Sequence, residues 1–231
     1  MARKKLILSP DCVYHVLNRS NNKEFFYIPI HEAWAIFCEV LSLSSVLYKT
    51  EIYSFVLMSN HYHLIVAAPS RNLHLFMRHF QTETTRRIQK QSGRINHVFG
   101  TRYKWSCLWT SAAYALAYKY VLRNPVKAEI CTQVDAYPYS SLTLDLPIAD
   151  RIGGLAVQVP QDHATRLEWL NKPTQKKTDE VIRRALRRKE FSIPEGNDMR
   201  YAAKGISSEY GVELDAPGVF AAGKGMGTFR E

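Results

Sequence analysis

Two histidines one residue apart, in Asn60-His61-Tyr62-His63-Leu64-Ile65-Val66, are the side chains of this chain best placed to do chemistry. Along an extended strand successive side chains alternate faces, so His61 and His63 point the same way. Two imidazoles one strand-step apart can share a divalent cation. The same spacing also serves structural and surface pairs, so the reading depends on what lies downstream. There, Tyr120 and Asn124 stand four apart in an alanine-rich stretch, which on a helix stacks a phenol and an amide on one face. A tyrosine hydroxyl, with a pKa near ~10, is a poor nucleophile at neutral pH unless activated. A divalent ion that polarises a phosphate and steadies the charge developing on it is what such an attack requires. The candidate constellation is a metal held by His61, His63 and the Asn124 carbonyl oxygen, with Tyr120 as nucleophile. The chain has 13 tyrosines, so packing is the competing role for Tyr120, and it is the expected role for Tyr114 and Tyr118.

These groups need a rigid frame. Glu51 to Met58 reads as a strand, Ser59-Asn60 as a tight turn and the histidine segment as the returning strand, closed by Pro69-Ser70. Cys12 to Leu17 reads as an earlier strand, followed by a polar turn over residues 18–23. His15 on that strand is a candidate supporting group for the pair. Residues 31–48 carry an apolar stripe of helical period (Trp34, Phe37, Leu41, Val46), and a second helix is expected from Arg71 to about Gln91, stopped at Ser92-Gly93. A fourth strand lies within residues 102–109. Thr110-Ser111 caps a third helix that runs to about Arg123, where Asn124-Pro125 ends it. The order strand, helix, strand, strand, helix, strand is the split βαβ arrangement of a ferredoxin-like α+β domain, an antiparallel sheet with packed helices.

Composition constrains the partners. Lys and Arg number 31 against 21 Asp and Glu, a formal charge of +10, and the pI is near 9.5. A polyanion, nucleic acid first, is the simplest complement. The cysteines at 12, 38, 107 and 131 are scattered and form no Cys-x-x-Cys pair, as expected of reduced thiols in a cytoplasmic chain. No run of eighteen apolar residues marks a membrane span, and the basic start is not followed by a signal-type apolar region, so no membrane role is expected.

Four segments then become familiar in order: Tyr14-His-Val-Leu-Asn-Arg19, Met58-Ser-Asn-His-Tyr-His-Leu64, Tyr120-Val-Leu-Arg-Asn-Pro-Val-Lys-Ala128 and Ala136-Tyr-Pro-Tyr-Ser-Ser141. Over about residues 10–142 the chain resembles the single-tyrosine HUH transposases, in particular the insertion-sequence-200-like group and its REP-associated tyrosine transposase relatives. The resemblance implies a ferredoxin-like catalytic domain, a Mg²⁺ or Mn²⁺ site on His61 and His63, and Tyr120 as nucleophile. Asn124 falls where the family carries its helix-borne polar ligand. One departure is Tyr139, where relatives often have Trp, and it bears on packing rather than chemistry. The implied domain spans residues 1–145, and residues 146–231 form a basic, partly irregular extension with a helix expected over 178–189.

Between Arg71 and Lys104 eight basic residues accompany one acidic, with Phe80, Phe99, Tyr103 and Trp105 interleaved, a pattern that suits single-stranded or hairpin DNA. Arg78, Arg86, Arg87 and Lys104 are the candidate phosphate contacts there, joined by Asn18 and Arg19 after the first strand. The reaction expected is attack of Tyr120 on single-stranded DNA beside a hairpin, leaving a 5′-phosphotyrosyl end and a free 3′-hydroxyl. Two other readings stay open: a hairpin DNA or RNA binding protein without chemistry, and a metal-dependent phosphodiesterase that uses water. Monomer and homodimer are both compatible with the sequence.

Overall fold

The computed structural model describes residues 5–143, 157–193 and 205–214. Four strands, β1 (Val13–Arg19), β2 (Glu51–Leu57), β3 (His61–Ala67) and β4 (Lys104–Leu108), form one antiparallel sheet in the order β2-β3-β1-β4. Helices α1 (Ile30–Tyr48) and α2 (Leu73–Ser92) connect them, which is the split βαβ topology expected from the sequence. After β4 come α3 (Ser111–Leu122), the single turn α4 (Asn124–Lys127), α5 (His163–Asn171) and α6 (Lys176–Ala185); residues 205–210 are also helical.

Strand alternation divides the core in two. Tyr14, Val16, Tyr62, Leu64, Val66, Trp105 and Cys107 face one side, where Phe37 and Leu41 of α1 and Phe76 and Phe80 of α2 cover them. By parity, Val13, His15, Leu17 and Arg19 of β1 share the opposite face with His61, His63, Ile65 and Ala67 of β3 and with Lys104, Ser106 and Leu108 of β4. That face is covered by α3, whose alanines at 112, 113, 115 and 117 are all buried and let the helix approach the sheet closely. Both layers are thus hydrophobic, and the histidines sit inside one of them.

Helix ends follow the expected local chemistry. The Thr110 hydroxyl oxygen accepts from Ala113 N at 3.1 Å and caps α3, while Gly93 ends α2 with φ +70°, a conformation that favours glycine. Within the extension expected over 146–231, regular structure begins before the helix expected at 178–189. Residues 144–156 lie outside the described residues, but 163–171 form α5, capped by the Asp162 carboxylate on Thr165 N. Residues 215–231 also lie outside the described residues.

Both sheet edges are paired. Residues 139–141 lie along β2 (Leu57 N to Tyr139 O at 3.0 Å, Ser141 N to Phe55 O at 2.7 Å). Residues 189–191 lie along β4, where Cys107 exchanges hydrogen bonds with Lys189 O and Phe191 N at 2.8 Å each. Tyr139 stacks edge-on against Trp34. Among the described residues one helix, α1, has the length and hydropathy of a membrane span, yet one side of it is a layer of this core, with Phe37, Val40 and Leu41 buried. The four cysteines are unpaired.

Candidate active site

The histidine pair sits at the β3 end of the inner face, and each ring is held through its Nδ1. His63 Nδ1 lies 2.8 Å from His15 Nε2 across the β1–β3 ladder, the two rings stacked at 5.1 Å. His61 Nδ1 lies 2.8 Å from Asn60 Oδ1, and the Asn60 amide nitrogen donates to Lys23 O at 2.8 Å. That second bond fixes which end of the Asn60 amide faces His61: an oxygen, hence an acceptor, so His61 carries its proton on Nδ1. In both histidines Nε2 is then the nitrogen left for a ligand. Their centroids are 5.3 Å apart.

Burial keeps these rings neutral. It lowers His61 to about 4, with the Arg19 charge adding to the effect, and His15 to about 3. His63 is driven well below the usual imidazole range by burial first, then by His15, His61, Lys127 and Arg19. A neutral imidazole is the form that binds metal.

From above, α3 brings Tyr120, whose ring meets His63 edge-on at 6.2 Å between centroids. One turn on, Asn124 starts α4, where Pro125 lacks the N–H that would have served Val121 O. The Asn124 amide nitrogen takes that place, donating to Val121 O at 3.1 Å and to Tyr120 O at 2.9 Å. Its nitrogen is spent on the helix, which leaves Oδ1 as the free end. Two imidazole nitrogens and an amide oxygen are a donor set that fits Mg²⁺ or Mn²⁺ as well as later transition metals. Among the described residues no cluster of three or more His, Cys, Asp or Glu competes with it.

The Tyr120 hydroxyl is in a demanding place. The residue is 7% exposed, and burial pushes its pKa up to about 12, with Arg183 and Arg187 pulling down and Asp179 and Glu180 pushing up. All four of those charges come from α6 and the residues after it, beyond the segment whose motifs mark the site. Lys127 lies over the Tyr120 ring, its Nζ 3.8 Å from the centroid, and pairs with Asp179 at 3.0 Å.

The candidate DNA-contacting residues divide between the two layers. Arg19, directly opposite His61 in the ladder, and Lys104, opposite Leu17, are exposed on the histidine face. Arg78, Arg86 and Arg87 lie on α2, on the other side of the sheet. There Gln81, Thr82, Thr85, Arg86 and Gln89 line a shallow groove, Arg86 pairs with Glu83, and Arg87 pairs with Glu39 of α1. Asn18 is buried, its amide nitrogen donating to Thr101 O and its oxygen accepting from Arg19 N.

Sequence reasoning singled out His61, His63, Tyr120, Asn124 and His15; the fold brings His15, His61, His63 and Tyr120 against one another and sets Asn124 one turn beyond Tyr120. It missed the roles of Asn60, Lys127 and Asp179. Asn60 and Lys127 lie inside the recognisable motifs, while nothing local marks Asp179.

Comparison with known proteins identifies the family and matches the fold. A family model described as "Transposase IS200 like" matches residues 9–124, from just before β1 to Asn124. The structure of a REP-associated tyrosine transposase bound to a REP hairpin is similar, with a TM-score of 0.50 and 17% identity over 61% of this chain and 81% of that one. A crystal structure from Deinococcus radiodurans R1, described there as a candidate transposase, aligns with a TM-score of 0.35 and 13% identity, covering 56% of this chain and 92% of that one. No curated protein matches the chain.

Proposed function

The chain belongs to the IS200-like transposase family, and on that premise we propose that it cleaves and rejoins single-stranded DNA through a covalent bond to Tyr120. The observation that supports this most is the meeting of Tyr120 with His63, edge-on at 6.2 Å, with Asn124 one turn further on and its amide bonded to Tyr120 O. The substrate proposed is DNA beside a hairpin, in keeping with the hairpin bound by the similar structure and with the +10 charge of this chain.

In the proposed step the Tyr120 oxygen forms a bond to phosphorus as the bond to the 3′ oxygen breaks. The phenol loses its proton and the departing oxygen gains one, so the products are a 5′-phosphotyrosyl end and a 3′-hydroxyl. Because the ester conserves the bond, a 3′-hydroxyl of the same or another strand can reverse the attack and join ends without a nucleotide cofactor. Held by His61, His63 and Asn124, Mg²⁺ or Mn²⁺ would polarise the scissile phosphate. The chain's own groups do the rest: His15 and Asn60 orient the imidazoles, and Arg19 and Lys104 hold the strand by its phosphates.

The burial of Tyr120 favours one rival, a phosphodiesterase that uses water while Tyr120 packs. Oligonucleotides carrying a hairpin, labelled at either end and incubated with Mg²⁺, Mn²⁺ or EDTA, separate the two on a denaturing gel. A covalent adduct on the 3′-labelled fragment alone, lost with EDTA, is the expected result. Cleavage with no adduct would establish the rival, and binding without cleavage would point to a protein without chemistry.

A further inference from the structure

Lys127 is a cation seated on the Tyr120 ring, and its environment says what it is for. Its Nζ is buried and lies 3.8 Å from the centre of the Tyr120 ring, and its charge is felt at His63. It therefore lies on the ring of the tyrosine and within electrostatic reach of the imidazoles. Asp179 of α6 approaches to 3.0 Å, a pairing that does not exhaust the three N–H donors of the ammonium. A buried ammonium with donors to spare is costly unless something completes its shell.

Asp179 is itself fixed from three sides. Its Oδ1 accepts from the Tyr210 hydroxyl at 2.6 Å and from Thr174 Oγ1 at 3.0 Å, in addition to pairing with Lys127. These partners come from the segment before α6 and from residues 205–214, all beyond the part of the chain that the family model matches. The C-terminal extension thus converges on one carboxylate, and that carboxylate holds one lysine on the ring of Tyr120.

We propose that Lys127 is a catalytic residue that donates to a non-bridging oxygen of the phosphate attacked by Tyr120, and that Asp179 is the positioning residue that holds it there. The ligand class is a phosphodiester of single-stranded DNA, so the inference rests on the reading of Tyr120 as nucleophile. As the tyrosyl oxygen bonds to phosphorus and the 3′ oxygen leaves, negative charge grows on the non-bridging oxygens, and a preorganised N–H in a water-poor site stabilises it. The extension is then part of the active site rather than an appendage to it.

The test uses the full chain and a labelled single-stranded hairpin substrate, following adduct formation in a single turnover, DNA affinity by fluorescence anisotropy, and thermal unfolding. Lys127→Met should slow adduct formation by about 100-fold or more, the cost of removing one such donor, while affinity changes by no more than about threefold. Lys127→Arg, which restores a charged donor, should recover a substantial part of that rate. Asp179→Asn, isosteric with the native side chain, should slow the adduct while the melting transition stays cooperative, and it carries the test if Lys127→Met fails to fold.

Adduct formation by Lys127→Met at the wild-type rate would overturn the proposal. So would equal losses in the Met and Arg variants that only track lower melting temperatures. If the wild-type chain forms no adduct while still binding the hairpin, the tyrosine reading itself fails and this proposal with it, an outcome distinct from a variant-specific result.

Discussion

His15 Nε2 and His63 Nδ1 face each other at 2.8 Å across the β1–β3 ladder, inside the layer that α3 seals. For His63 to offer Nε2 to a cation, its proton must be on Nδ1 and the His15 nitrogen must accept it, which places the His15 proton on its own Nδ1. Asn60 does the same service for His61. Supports of this kind commonly matter by 10–100-fold in metal affinity. Asn60→Ala and His15→Ala should each weaken Mn²⁺ binding by about that factor in titration calorimetry. Unchanged Mn²⁺ affinity in Asn60→Ala, with the fold intact, would mean that this bond does not prepare the ligand.

Arg19 and Lys104 are the two candidate cations that share the face of the histidine pair, whereas Arg86 and Arg87 sit across the sheet and are already ion-paired. A single strand laid over the site should therefore release counterions mainly at the first two. Arg19→Ala and Lys104→Ala should each reduce the slope of log affinity against log salt by about 0.7, the increment for one phosphate contact on single strands. Arg86→Ala leaves the slope unchanged if the strand stays on that face. A loss confined to the α2 arginines would put the strand on the other layer.

Lys119 provides a pH-dependent signature of how the extension docks. Its side chain is fully buried, donating to Glu209 O at 3.1 Å and lying 5.1 Å and 5.4 Å from the Trp169 and Tyr210 ring centres. Burial lowers its pKa from 10.5 to about 7, with Arg123, Lys172 and Lys127 adding repulsion. Between those two values the unfolded chain binds the extra proton, so this group's contribution to stability rises with pH and is lost as pH falls toward 7. Relative to Lys119→Met, the wild type should gain stability from pH 7 to 9, by at most about 1.4 kcal/mol per unit. Parallel urea-unfolding curves for the two proteins at both pH values would contradict it.

Much of this site can be read from local pattern because local pattern places it. Strand alternation puts His61 and His63 on one face, helical spacing puts Asn124 one turn from Tyr120, and the Thr110 cap and the Gly93 stop follow from backbone chemistry. Asn18 shows the limit of that logic. It reads as a polar turn residue, but β1 runs on to Arg19, so alternation turns Asn18 away from the histidine face and onto Thr101 O.

Helix α5 was illegible for a different reason. Its only buried residue is Leu170, and it is tied in by distant groups, Arg123 Nη1 on Leu170 O and Trp169 Nε1 on Tyr210 O. The Lys127–Asp179 pair joins residues on two helices far apart in sequence, and no periodicity announces a contact of that kind.

Tyr120 is the residue on which covalent chemistry depends. After reaction with a single-stranded hairpin substrate and Mn²⁺, the protein would be digested with trypsin and the site of attached phosphodeoxynucleotide read by mass spectrometry. Cleavage after Lys119 and Arg123 isolates Tyr120-Val-Leu-Arg123, so a modification there is unambiguous. The predicted result is a phosphonucleotide on that peptide, absent with EDTA and absent from Tyr120→Phe. An adduct mapped to any other residue, or an undiminished adduct in Tyr120→Phe, would contradict it.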